Sequence, residues 1–267
     1  MCDDAWRQVA TTTKRVIDFR GESWESDALV RAVDVSGLVL SGSDFDANFT
    51  LFERTNDTPL QYREGMVRFE NSSDCSLQDC ALLDAGHSAI WLQGYAQNHT
   101  ITGNRIERPG FCGVFFQGIY PGDTWPSSIG FGRAANGTVV HPGPIRSAAE
   151  ADVNKGHLVS DNLIYDYGRR VGHGSGMWWF QAGTMVASHN HIQEGPRDAF
   201  GIYGVRFGSL GSPNYGVNKS FWTSMEVLHT RRIEISYNRV LNVVRDTSDA
   251  GALEYWGVGP WNTAHHN

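Results

Sequence analysis

The sequence predicts an all-β solenoid, a right-handed parallel β-helix that breaks off in mid-coil at its C-terminus. Three observations predict it. A short motif ending in Asn and then Ile or Val recurs along the chain. A second motif, one small residue before two strand residues, follows most copies. Glycine is abundant, at 30 of 267 residues, and the only helix-like stretch, near Ser147 to Val153, is too short to carry a fold.

The first motif reads ITGNRI (101–106), VSDNLI (159–164), ASHNHI (187–192) and ISYNRV (235–240), with degenerate copies LSGSDF (40–45) and LQDCAL (77–82). The slot residues are then Ser43, Cys80, Asn104, Asn162, Asn190 and Asn238, spaced 37, 24, 58, 28 and 48 apart. The second motif reads Ala89-Ile90-Trp91, Gly113-Val114-Phe115, Gly176-Met177-Trp178, Gly201-Ile202-Tyr203 and Ala252-Leu253-Glu254. Its last two residues point to opposite faces, as strand alternation requires. Short strands with a turn Asn in each repeat describe coils of a β-helix, stacked about 4.8 Å apart. Stacked Asn side chains can hydrogen-bond to their neighbours, so the Asn column is read as structural.

The long spacings imply inserted loops at about 120–153 and 206–229, in a single domain covering 1–267. Asn267, in AHHN, falls 29 residues after Asn238 and reads as another slot, so the chain is expected to be a piece of a longer protein.

A formal net charge of −7 argues against nucleic acid as the main partner, because nucleic acid needs clustered Lys and Arg. No segment has the length and apolarity of a membrane span. The four cysteines form no CxxC pair, and no HExxH, GxSxG or phosphate loop occurs, so no metal or cofactor is expected. Cys75 and Cys80 are read either as a disulfide or as free thiols. Six glycosylation sequons, at Asn48, Asn56, Asn71, Asn98, Asn136 and Asn218, lean toward a secreted or cell-surface protein, although turn-rich β chains use Asn, Ser and Thr anyway.

Candidate chemistry follows from counting back three residues from the small residue of the second motif. That column reads Gly86, Gly110, His173, Asp198 and Asp249; the outward column beside it reads Trp91, Phe115, Trp178, Tyr203 and Glu254. Two stacked Asp would lie roughly 5–7 Å apart, within the range of a glycosidase carboxyl pair. Asp198 and Asp249 are therefore the expected acid–base or nucleophile pair, with His173 orienting them. Trp178, Tyr203, Trp256, Glu254 and Arg197 are expected to bind substrate. Asp246 is a weaker candidate, and His189 and His191 read as turn histidines.

The segment SHNHIQEGPRDAFGIYG, followed by ISYNRVLNVVRDTSDAGALEYWG, resembles the right-handed β-helix proteins related to the β-helical fucosidase/xylanase glycoside hydrolases. The likeness covers Gly65 to Gly257 loosely and the last two coils closely. It implies hydrolysis of an oligo- or polysaccharide by two aspartates, with Asp249 in the Ser-Asp-x-Gly-Ala motif. Glu254 departs from the neutral residue expected before the aromatic. A polysaccharide lyase, with His173 as base and an Arg or Ca²⁺ neutralising the substrate carboxylate, and a non-catalytic glycan-binding β-helix are the rival readings.

Overall fold

The computed structural model describes residues 12–24, 26–45, 64–118, 152–204 and 228–267. The two expected insertions fall almost wholly outside these residues. Every element in the described part is a strand, and the strands form three sheets with parallel pairing throughout.

The first sheet runs through Ile17–Arg20, Gly65–Ser73, Ser88–Gln97, Val114–Gln117, Met177–Phe180, Phe200–Tyr203 and Leu253–Trp256, in chain order. The second runs from Asp34–Ser36 to Thr263–His265 and the third from Val39–Ser41 to Arg239–Leu241. The chain visits the three sheets in turn. Val30–Arg31 and Asn154–Lys155 are two further short strands of the first sheet, paired with the ends of Gly65–Ser73 and Ser88–Gln97. This arrangement fits a β-solenoid.

Three corners per circuit make this path. At each one a single residue adopts the left-handed conformation. One corner column reads Gly37, Asp79, Gly103, Asp161, His189, Tyr237 and His266; the next around the coil reads Asp84, Arg108, Asp166, Glu194 and Asn242. Most of these are not glycine, and that conformation costs an L-residue roughly 1–2 kcal/mol. The bonds from one coil to the next offset the cost. In the first column Asp79, Gly103, Asp161 and His189 each donate their N–H to a carbonyl of the following coil, at 3.0–3.2 Å.

The Asn ladder sits one residue further on, and it is buried. The Oδ1 of each Asn accepts the backbone N–H of the preceding slot residue: Cys80 to Asn104, Asn104 to Asn162, Asn162 to Asn190 and Asn190 to Asn238, all at 2.9–3.1 Å. Asn267 extends the ladder, taking the N–H of Asn238 at 3.0 Å. The expected slot at Ser43 is wrong. Val39 pairs with Ala81, so Leu38 stands opposite Cys80, and VSGLVL (35–40) is the true first copy. A leucine in the slot hid the match.

A second ladder was not anticipated. The His99 ring accepts the Cys75 N–H at 3.2 Å, and the His157 ring accepts the His99 N–H at 3.2 Å. In the last circuit Asn262 does the same for Ile233. Burial pushes His99 down to about 4 and His157 well below its ordinary value. The folded state therefore holds these rings neutral. Their stabilisation is complete above about pH 6.5, the unfolded value, and is lost as pH falls toward about 4. For His99 alone the loss should reach roughly 3 kcal/mol. Denaturant melts across that window should show it, and His99→Asn, which keeps an acceptor in the slot, should flatten the dependence. An unchanged slope in the variant would contradict this.

The interior stacks like on like. Leu77, Ile101, Val159, Ala187 and Ile235 form one column, and Leu82, Ile106, Ile164 and Ile192 another. Cys75, Cys80 and Cys112 are buried free thiols, so the Cys75–Cys80 disulfide does not form. The outer face of the first sheet carries a separate apolar cluster that includes Trp91, Phe111, Phe115, Trp178, Phe180 and Tyr203. Among the described residues no helix is long and apolar enough to cross a membrane.

Candidate functional site

The pairing register corrects the columns on this outer face. Phe200 pairs with both Met177 and Leu253, so the small-residue position is Ala199, not Gly201. The outward columns then read Trp91, Phe115, Trp178, Gly201, Glu254 and, one step along, Gln93, Gln117, Phe180, Tyr203, Trp256. The slip of two residues kept Tyr203 on the expected face, because side chains alternate with a period of two.

The same slip paired the wrong aspartate with Asp198. The turn from Gln193 to Phe200 is five residues shorter than those from Tyr165 to Met177 and from Leu241 to Leu253. Counting within the two long turns matches His173 with Asp249 and leaves Asp198 out of that column. Asp249 is exposed, and its N–H is held by Thr247 Oγ1 at 3.0 Å. Asp246 is exposed in the same turn. Asp198 is fully buried.

The structure joins Asp198 to Glu254 instead. The Tyr203 hydroxyl lies 2.7 Å from Asp198 Oδ2 and 2.8 Å from Glu254 Oε2. Ser175 Oγ donates to the same Asp198 oxygen at 3.0 Å. The other, Oδ1, is buried without a hydrogen bond; Arg197 Nε is 3.4 Å away but misaligned. Arg197 Nη2 reaches Glu254 Oε2 at 3.3 Å, and its Nη1 lies 3.2 Å from His173 Nδ1. A guanidinium only donates, so His173 Nδ1 is the acceptor and its ring proton sits on Nε2.

Local sequence explains the approach. Gly201 leaves its outward position empty. A Cβ there would come within 2.5 Å of the Tyr203 ring, 2.8 Å of Asp198 Oδ2 and 3.0 Å of Ser175 Oγ. The glycine lets the phenol reach back along the sheet to the buried carboxyl. Below the site Tyr167 donates its hydroxyl to the Asp198 carbonyl at 2.8 Å, which fixes the backbone.

The carboxyls sit in different environments. Burial pushes Asp198 up to about 6, against the pull of Tyr203 and Arg197. The Glu254 side chain is 25% exposed and faces outward. Burial also pushes the Tyr203 phenol far up, so it stays neutral. Trp178 is 2% exposed, packed 5.1 Å from Tyr203, and forms the floor of the site rather than a stacking platform. Trp256 is 41% exposed and meets Tyr203 edge to face. Of the eight residues singled out by sequence, seven gather here and Asp249 stands apart. Ser175 and Gly201 were missed. The signal for both was the unequal turn length, which fixes the register.

Among the described residues no group of three or more His, Cys, Asp or Glu is arranged to hold a metal ion. No family model, curated protein or solved structure matches this chain.

Proposed function

We propose that the chain is a right-handed parallel β-helix of a secreted or cell-surface glycoside hydrolase, in which Glu254 and Asp198, rather than Asp198 and Asp249, are the working carboxyls. The observation that carries this reading is the shared phenol. It ties a buried carboxyl, raised to about 6, to a second carboxyl that faces solvent. A carboxyl raised by burial beside one that faces solvent is how one site can hold an acid ready near neutral pH. Their linked oxygens lie no more than 5.5 Å apart, the two contacts of 2.7 and 2.8 Å laid end to end. An inverting pair stands about 6.5–9.5 Å apart to hold a water and the sugar between them. Here the two form one unit that meets substrate from one side. Glu254 protonates the glycosidic oxygen as the C–O bond breaks. Water adds to the anomeric carbon and returns its proton to the pair. The exposed Trp256 offers a face for a sugar ring. Asn98, in one of the sequons, is exposed at a corner, which fits the secreted placement.

The lyase reading has one observation in its favour: His173 and Arg197, a base and a guanidinium, are in contact at 3.2 Å. Arg197 is buried, however, and already engaged with Glu254, so it is poorly placed to neutralise a uronate. Incubation with xylan and with fucosylated, galactosylated and uronate-rich glycans separates the readings. Hydrolysis releases reducing sugar with no gain in ultraviolet absorbance. A rise in absorbance from unsaturated product would establish elimination instead. No product from any glycan would leave the binding module as the function.

A further inference from the structure

We propose that Tyr203 is a proton conduit between a buried store, Asp198, and the solvent-facing Glu254, so that the two carboxyls hold one proton between them. The geometry is a counting problem. A phenol has one proton to donate, yet the Tyr203 oxygen lies at hydrogen-bond distance from a carboxyl on each side. One contact is the phenol donating. The other needs a carboxylic acid donating to the phenol oxygen. With both carboxyls ionised, one contact would set two oxygen lone pairs against each other in a buried place, which is costly. With both protonated, one acid proton would have no use in the contact.

In the resting arrangement the proton sits on Asp198. Its Oδ1 is buried without a hydrogen bond, which disfavours a full negative charge there. Ser175, donating to Oδ2, and Arg197 Nε, 3.4 Å from Oδ1, pull toward the carboxylate but do not outweigh burial. The more exposed Glu254 has water and Arg197 Nη2 to carry its charge. At rest Glu254 is the carboxylate, so Asp198 must load it before Glu254 can give up a proton. The Asp198 Oδ2 proton moves to the phenol oxygen as the phenol proton moves to Glu254 Oε2. Two O–H bonds break and two form. Asp198 ends as the carboxylate, Glu254 as the acid, and Tyr203 is a neutral phenol before and after. Tyr203 acts through Glu254 and is a positioning and relay residue. Its part in turnover rests on the hydrolase reading; the sharing of the proton does not.

The test is therefore a titration. Isotope-labelled carboxyl NMR follows the Asp198 midpoint in the wild-type chain, in Glu254→Gln, in Tyr203→Phe and in the double variant. Phe180 occupies the same column one coil earlier, so a phenyl ring fits at 203. Removing the Glu254 carboxyl should lower the Asp198 midpoint by about one pH unit or more, because the phenol proton is then free for Asp198. In the Tyr203→Phe background the same change should move it by much less. An equal shift in both backgrounds would overturn the conduit, since coupling would then pass through space. Asp198→Asn read at Glu254 gives the reciprocal shift without altering Tyr203, and by linkage it must match in size. No shift there would overturn the proposal as well. Loss of the hydrolase reading would leave all of these shifts in place, so the two failures are told apart.

Discussion

Asn190→Ala should cost the fold roughly 3–6 kcal/mol, which is most of the roughly 5–15 kcal/mol that holds a typical domain together. Asn190 makes four buried bonds. Its Oδ1 accepts from Asn162 N and Nδ2 at 3.1 and 3.0 Å, and its Nδ2 donates to Val159 O at 2.9 Å and Asn238 Oδ1 at 3.0 Å. Alanine strands a backbone N–H and a carbonyl, each costing roughly 1–3 kcal/mol when buried and unpaired, and interrupts the ladder on both sides. Leu38 holds the equivalent place at 45% exposure, where water can reach it. Leu38→Asn should therefore change stability by no more than about 0.5 kcal/mol. Chemical denaturation measures both. A loss below about 1 kcal/mol for Asn190→Ala would mean that the ladder is decoration.

Glu254→Gln should lower turnover on the hydrolysed glycan by about 10²–10⁴-fold, the usual worth of a positioned acid or base. Asp198→Asn should fall in the same range, and Asp249→Asn, on its exposed turn, should do little. Stability separates a working residue from a structural one. Because burial raises Asp198, its contribution to stability is full below its ordinary unfolded value and is lost as pH rises through about 6. At neutral pH the wild-type chain bears that cost, and Asp198→Asn should unfold at equal or higher denaturant concentration while losing activity. An inactive variant that is also clearly less stable would point to a structural carboxyl.

The recurrence of Asn followed by Ile or Val exposed the ladder, because each coil must solve the same backbone problem at that corner. Two features escaped for physical reasons. The left-handed corner residues vary freely, from Gly103 to Tyr237, since the bond to the next coil rather than the side chain holds them. The histidine ladder uses a ring nitrogen where the other uses an amide oxygen, so His99, His157 and Asn262 share a task but no residue type.

The candidate site was legible as a neighbourhood and not as a set of contacts. The column count placed Asp198 beside the outward column that holds Tyr203 and Glu254. The pairing depended on turn length, and the five residues missing between Gln193 and Phe200 moved Asp198 out of the Asp249 column. Nothing in a single sequence marks which turn is the shorter one until the strands on both sides are aligned.

Whether Asp198 and Glu254 form one working unit is tested most directly by the kinetics of the Asp198→Asn, Glu254→Gln double variant on a hydrolysed glycan. Groups that act as a unit are strongly non-additive, because removing either disables both. The double variant should turn over about as slowly as Glu254→Gln alone. Two losses that multiply would show independent residues and contradict the shared-carboxyl site.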